Sequence, residues 1–289
     1  MSRRKLTIVV TCTDRKLGVP SEWLRARSLP SGTLIERVSH WHDRVTAARP
    51  QGRLLDLYRG ESWAQAKRLA ATATQAGFDA GLLVASAGLG LRSVDDVGPV
   101  YAATFSRGHQ DTVATSTTDA VLWWRGLPHT ASLSPTLPSI WVLSEAYALA
   151  MRDQLSDLDP AKSLVFGGAS DTPESLRIRS DRSLRAPLGG TVSSLNTRMA
   201  IRWLEIAGDS TLTSTKVRQA WAAWARDSRQ PEKYDRRPLP DATIRALITK
   251  MLDRNPKMSK TAALKNLRTS GVACEQRRFS GLFKEAGRL

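Results

Sequence analysis

Two stretches of this chain each read as a buried strand running into a loop of small and polar residues, and this pairing constrains the fold most. The first is Leu6-Thr7-Ile8-Val9-Val10, followed by Thr11-Cys12-Thr13-Asp14-Arg15-Lys16. The second is Gly81-Leu82-Leu83-Val84-Ala85, followed by Ser86-Ala87-Gly88-Leu89-Gly90-Leu91. Between them, Glu61 to Gln75 carries Trp63, Ala66, Ala70 and Ala73 at three-to-four spacing and stops at Gly77, which predicts a helix. Strand, helix and strand in that order form a βαβ-like unit, and short apolar runs bounded by loops are what a doubly covered sheet needs. The expected fold class is α/β, with a mixed or parallel sheet flanked by helices.

Further along, strands are expected at Ile140–Leu143 and Ser163–Phe166. Helices are expected at Thr33–Ala47, from Thr118 or Asp119 through Trp124, from Ser144 to Leu155, and from Ser194 to Ile206. Leu54–Tyr58 reads as a short strand or approach segment. The alternation ends near residue 206, and residues 210–289 change character. Four helices are expected there: Thr213–Asp227, Ala242–Leu252, Ser259–Thr269 with Ser259 as N-cap, and Cys274–Ala286. The last two, separated by Ser270-Gly271-Val272-Ala273, fit a helix-turn-helix. Two domains follow: residues 1–209 as an α/β catalytic domain and 210–289 as a basic helical module.

Charge supports that division. The formal net charge is +16, and residues 210–289 hold 18 Lys/Arg against 7 Asp/Glu, whereas the other 209 hold 25 against 20. A short segment with most of the positive excess suits a polyphosphate, because each neutralised phosphate releases counterions. A merely solvated basic surface is the competing reading. Gln276, Arg277 and Arg278 lie in the first turn of the last helix, where a recognition helix makes its contacts, and Lys257, Lys260 and Lys265 suit phosphates. Double-stranded DNA is the expected partner.

Ligands of open α/β sheets bind beyond the carboxyl ends of the strands. That makes Cys12, Thr13, Ser86, Gly88 and Gly90 candidate substrate contacts, joined by Gly167, Gly168 and Ser170 after the strand ending at Phe166. Asp14 is the leading catalytic candidate, since a carboxylate there could orient water or stabilise a cationic sugar as its base departs. A simple capping role for Asp14 competes. Arg15 and Lys16 beside it would hold a phosphate. Asp95 and Asp96 are adjacent, so at most one faces a site, and Asp95 is the second catalytic candidate. Cys12 has no His near it in sequence to activate a thiolate. Trp63 or Trp123 could stack on a base. The glycine loops lack a Walker ending and the third Gly of a dinucleotide fingerprint. His40-Trp41-His42 is not metal spacing, and the two cysteines, Cys12 and Cys274, stand far apart. No metal or cofactor is expected. The apolar run after the basic N-terminus is too short for a signal peptide, and none approaches the roughly 18 residues of a membrane span. The expected location is cytoplasmic.

The order of Cys12-Thr13-Asp14-Arg15-Lys16, Asp56-Leu57-Tyr58-Arg59-Gly60, Val84 to Leu91, and Val97-Gly98-Pro99-Val100-Tyr101-Ala102-Ala103-Thr104 resembles the YaaA-like proteins. It resembles more closely their relatives with a Cys-Ser-x-x-Lys, Leu-Tyr-x-Gly, Leu-Ser-Ala-x-x-Gly-Leu and Pro-Tyr-Asp pattern. The likeness covers residues 6–106, with a looser match over 160–206. It implies Tyr58, Gly60 and Tyr101 as further substrate contacts, a uracil-DNA-glycosylase-like layout, and a nucleobase-directed or phage-defence setting. Antiphage DNA glycosylases that remove glucosylated hydroxymethylcytosine are neighbours in that setting. Thr13-Asp14 stands where the pattern has Ser, and Tyr101-Ala102-Ala103 replaces Pro-Tyr-Asp, so a carboxylate near residue 103 is missing. Its role would pass to Asp14 or Asp95. The leading expectation is a DNA glycosylase that hydrolyses the N-glycosidic bond of a flipped base. The alternatives are a non-catalytic DNA-binding or nucleotide-sensing protein, and a base-exchanging transferase or nucleotide hydrolase.

Overall fold

Continuous apolar runs form the middle of the sheet because both of its faces are covered. In a computed structural model describing residues 3–231, 236–256 and 258–287, Ser139–Leu143 and Ser163–Gly167 are buried at every position. We label the sheet strands β1 (Arg4–Thr11), β2 (Phe78–Ser86), β3 (Gly90–Ser93), β4 (Ser139–Leu143), β5 (Ser163–Gly167) and β6 (Arg177–Ile178). Their order is β3-β2-β1-β4-β5-β6. All neighbours are parallel except β2 and β3, which form an antiparallel hairpin at one edge. The sheet is therefore mixed, and its order reverses at β1. The first crossover runs to β2 on one side, and the chain later returns to place β4 on the other.

The helices are α1 (Leu34–Ala47), α2 (Glu61–Gln75), α3 (Thr117–Gly126), α4 (Glu145–Ala150), α5 (Leu195–Ala207) and α6 (Thr215–Ser228) in the first unit. In the second they are α7 (Asp241–Arg254), α8 (Lys260–Thr269) and α9 (Gln276–Ala286). Local chemistry fixes several ends. Thr33 and Glu36 form a capping box on α1, and Ser116 with Asp119 does the same for α3, so the cap lies before Thr118. The expected helix from Ser144 to Leu155 is broken at Met151, giving α4 and a short turn, Arg152–Ser156. Leu54–Leu57 is a helical turn rather than a strand, held by Leu54 N–H to Asp96 O and Leu55 N–H to Val94 O, both 2.8 Å.

The chain divides after Pro231, not after residue 209. Helix α6 belongs to the first unit because Val217, Trp221 and Ala225 face its core. Trp221 lies 5.4 Å from Trp203 of α5, which in turn sits 5.7 Å from Phe166 of β5. The second unit is a three-helix cluster around Ile244, Ile248, Leu267 and Phe279. Two ion pairs join α7 to α9, Asp241 with Arg278 at 2.7 Å and Arg245 with Glu285 at 2.8 Å. The link from α8 to α9 turns at Gly271, whose φ of +82° favours glycine. No helix among the described residues is long and apolar enough to cross a membrane.

Candidate functional site

The loop after β1 is folded back rather than extended. Cys12 N–H continues the ladder to Ala85 O at 2.9 Å, and then Thr13 Oγ1 bonds the carbonyls of Arg15 and Arg59, both at 3.0 Å. Arg59 N–H reaches Arg15 O at 2.9 Å, and Leu17 N–H reaches Leu57 O at 2.7 Å. These bonds lay the loop against Tyr58 and turn the Lys16 side chain inward. Its Nζ lies 4.2 Å from the centre of the Tyr101 ring and 5.6 Å from that of Tyr58, and donates to Thr13 O at 3.1 Å. No carboxylate among the described residues comes within ion-pair distance of it. Burial lowers its pKa, opposed by the charges of Cys12, Asp14 and Asp111.

The Ser86–Leu91 segment is the turn of the β2–β3 hairpin, not a strand-to-helix loop. Gly90 takes φ +76° there, under Pro128 and His129. Ser86 is fully buried, and its Oγ accepts from Gly88 N–H at 3.1 Å and Leu89 N–H at 2.9 Å. A hydroxyl oxygen has two lone pairs, so both are filled. Its own proton therefore goes to Tyr101 Oη, which shares a second hydrogen bond with Tyr58 Oη at 2.8 Å in which either hydroxyl can donate. A second link crosses the reversal point of the sheet. Tyr147, on α4 just after β4, accepts Ala87 N–H at 3.3 Å and pairs with Cys12 Sγ at 3.1 Å. Burial raises the pKa values of Tyr58, Tyr101 and Tyr147, so all three stay neutral hydroxyls at neutral pH.

Cys12, Thr13, Lys16, Tyr58, Ser86, Gly88 and Tyr101 thus converge at the carboxyl ends of β1, β2 and β4. Gly88 is needed there, since a Cβ would meet the Tyr101 ring at 2.5 Å. Gly60 caps α2 with φ +98°, beside the Arg15 side chain. Asp14 and Arg15 are exposed on the rim. Other expectations need correction. Asp95 is exposed and pairs with Arg53 at 3.8 Å. The register sets the nearby Ser93 against Leu83, three residues before Ser86 and so roughly 10 Å down the strand. Gly167 and Gly168 are packed under Asn196 and Thr172 and form a structural turn, with Ser170 exposed beyond it. Trp63 and Trp123 are buried, each donating its Nε1–H to a backbone carbonyl, so neither offers a face to a base. Sequence reasoning missed Tyr147, although its place one turn after a strand at the reversal point was the available signal.

Several concavities of the first unit lie elsewhere. One of 300 Å³ is lined by Gln65, Arg68, Arg198 and Trp224. Two others open at the amino ends of the strands, around Thr7 and Ser163 and around Arg4 and Phe78. None of these combines an amine, a thiol and hydroxyl donors, so chemistry favours the carboxyl-end cluster.

In the second unit, a 390 Å³ groove is lined by Arg236, Lys260, Lys265, Arg268, Gln276 and Ser280, among others. Lys260, Lys265 and Gln276 therefore share one basic concavity, and Arg277 is exposed. Arg278 is instead held by Asp241 and the Leu239 carbonyl, at 2.7 Å each, and is a structural cation. Glu275 serves as the N-cap of α9, accepting from the N–H groups of Arg277 and Arg278. Lys257 lies outside the described residues. No family model, curated protein or solved structure matches this chain.

Proposed function

We propose that the chain is a DNA glycosylase, hydrolysing the N-glycosidic bond of an extruded and modified base and leaving an abasic site. The observation carrying this reading is the buried hydroxyl chain Ser86–Tyr101–Tyr58, set beside the inward-turned Lys16 amine among the loops of β1 and β2. A departing base needs a hydrogen-bond donor as negative charge develops on it, and neutral buried phenols supply one without first losing a proton. The carboxylate of Asp14 on the rim would stabilise the cationic sugar or orient water. The groove of Lys260, Lys265 and Arg268 would supply phosphate contacts that help offset the few kcal/mol of unstacking. The resemblance to antiphage glycosylases points to glucosylated hydroxymethylcytosine as the base to try first. The test is to incubate the full chain with glucosylated phage DNA and with unmodified DNA, then detect free base by mass spectrometry and strand breaks after alkali. Free base from the modified DNA, lost in Asp14→Asn and reduced in Tyr58→Phe, is the expected result. No free base and intact strands on every substrate would overturn the reading.

The basic groove also supports a second reading, a DNA-binding sensor without turnover. In that case Asp14→Asn would leave salt-dependent DNA binding intact, and no catalytic activity would exist to lose.

A further inference from the structure

We propose that Lys16 is the nucleophile of this site, its Nζ attacking C1′ of the target deoxyribose so that the base leaves and a Schiff base joins the protein to the DNA. This deepens the glycosylase reading and rests on it. Lys16 is half-buried against two aromatic rings and one carbonyl, with no carboxylate at ion-pair distance among the described residues. A cation placed this way costs desolvation that a methionine of similar length would not, and the cation–π contact with Tyr101 recovers only part of it. Other described lysines, including Lys5, Lys67, Lys216, Lys250, Lys260, Lys265 and Lys284, stand in solvent. Lys162 pairs with Asp159 at 3.9 Å. Among the described lysines, Lys16 alone is drawn from water into the cluster of reactive groups.

The same desolvation favours the neutral amine, the form with a free lone pair. In the first step, the Nζ lone pair forms a bond to C1′ while the C1′–N bond breaks, its electrons going to the base, which takes a proton from a hydroxyl donor or water. The bound nitrogen then loses a proton to solvent and pushes its lone pair into C1′=N as the C1′–O4′ bond breaks and O4′ is protonated. The resulting iminium links Lys16 to the opened sugar. Proton loss from C2′ then expels the 3′-phosphate, and water releases the amine. Abasic DNA presents the C1′ aldehyde directly, so the same amine condenses with it and loses one water.

The experiment incubates the full chain with a duplex bearing one aldehydic abasic site in the presence of sodium cyanoborohydride. Hydride delivered to C1′ of the iminium fixes it as a secondary amine. The expected result is a covalent protein–DNA adduct whose tryptic peptide maps to Lys16, and its loss in Lys16→Arg, which keeps the charge. An adduct confined to other lysines, or none with wild type, overturns the proposal, and the wild-type mapping decides even if Lys16→Arg misfolds. A parallel assay of free base from modified DNA separates the two claims. Base release without a Lys16 adduct sinks the nucleophile and leaves the glycosylase. A Lys16 adduct without base release from any substrate sinks the glycosylase and leaves the reactive amine.

Discussion

Ser86→Ala tests the hydroxyl chain at its anchored end. The substitution removes one oxygen from a fully buried site and leaves the N–H groups of Gly88 and Leu89, now bonded at 3.1 and 2.9 Å, without an acceptor. A buried donor stripped of its partner costs about 1–3 kcal/mol. The void left is that of a single oxygen, below the ~10–15 Å³ a water needs, so solvent cannot take its place. Tyr101 keeps its bond to Tyr58 and adds little to the penalty. The sum is about 3 kcal/mol, which for a unit of this size lowers the melting temperature by roughly 10 °C. All nine tryptophans precede residue 232, so tryptophan emission in a guanidinium titration reports the first unit alone. A loss below about 1 kcal/mol at unchanged denaturant slope would show that those two N–H groups do not depend on Ser86, and the assigned donor direction would fall with it.

Gly88→Ala should cost about 2–3 kcal/mol in the same titration, because its Cβ meets the Tyr101 ring at 2.5 Å and Trp41 at 3.1 Å. Removing both Lys260 and Lys265 should flatten the salt dependence of DNA affinity by about 2 in the log–log slope, against no change if the groove does not meet phosphates. His129 accepts Leu91 N–H through Nδ1 at 3.0 Å and bonds Trp124 O at 2.9 Å, and burial depresses its pKa. Its contribution to stability is therefore full above the ordinary histidine value of 6.5 and lost as pH falls through the depressed folded value. His129→Leu should lower stability at pH 7 and reduce its acid-side slope in guanidinium titrations at a series of pH values.

Much of the architecture was legible because it follows from local chemistry. Helix α2 spans Glu61–Gln75 as its apolar spacing demands, and Ser259 caps α8 by accepting Ala262 N–H at 3.2 Å. What escaped depends on partners distant in sequence. Residues Leu54–Leu57 are too few for periodicity to decide, and bonds to Val94 and Asp96 make them a helical turn. Nothing local distinguishes the Ser86–Gly90 turn from a strand-to-helix loop; the pairing of Leu91 with Ala85 does. Charge drew the domain boundary too early, because Lys216 and Arg226 of α6 face outward while Trp221 reaches Trp203. At the site, the loop positions of Cys12, Lys16 and Ser86 were readable. The inward turn of Lys16 was not, since it is set by Arg15 and Arg59 bonding across the loop. Asp14 was favoured for its charge, yet the group that burial perturbs lies two residues later, at Lys16.

That perturbation has the same cause as its opposite nearby. Withdrawal from water penalises whichever form of a group is charged, so it pushes the lysine down and the tyrosines up. One environment thus brings a basic amine toward neutrality beside phenols that keep their protons. Environments that drive titratable groups in opposite directions mark acid and base assignments. Under the proposed mechanism they would divide the labour of one substitution: an amine to approach carbon and a hydroxyl to receive the departing group's charge. These groups come from separate segments, the β1 loop, the Leu57–Arg59 turn, the β2–β3 hairpin, Tyr101 and the start of α4. They meet because β1 has a parallel neighbour on each side and the chain leaves its carboxyl end between them. A purely structural cluster would gain more from replacing Lys16 by an apolar side chain. Lys16→Met, retaining or raising the melting temperature while abolishing adduct formation, would place the retained amine on the side of chemistry. A marked loss of stability would instead make it a packing element.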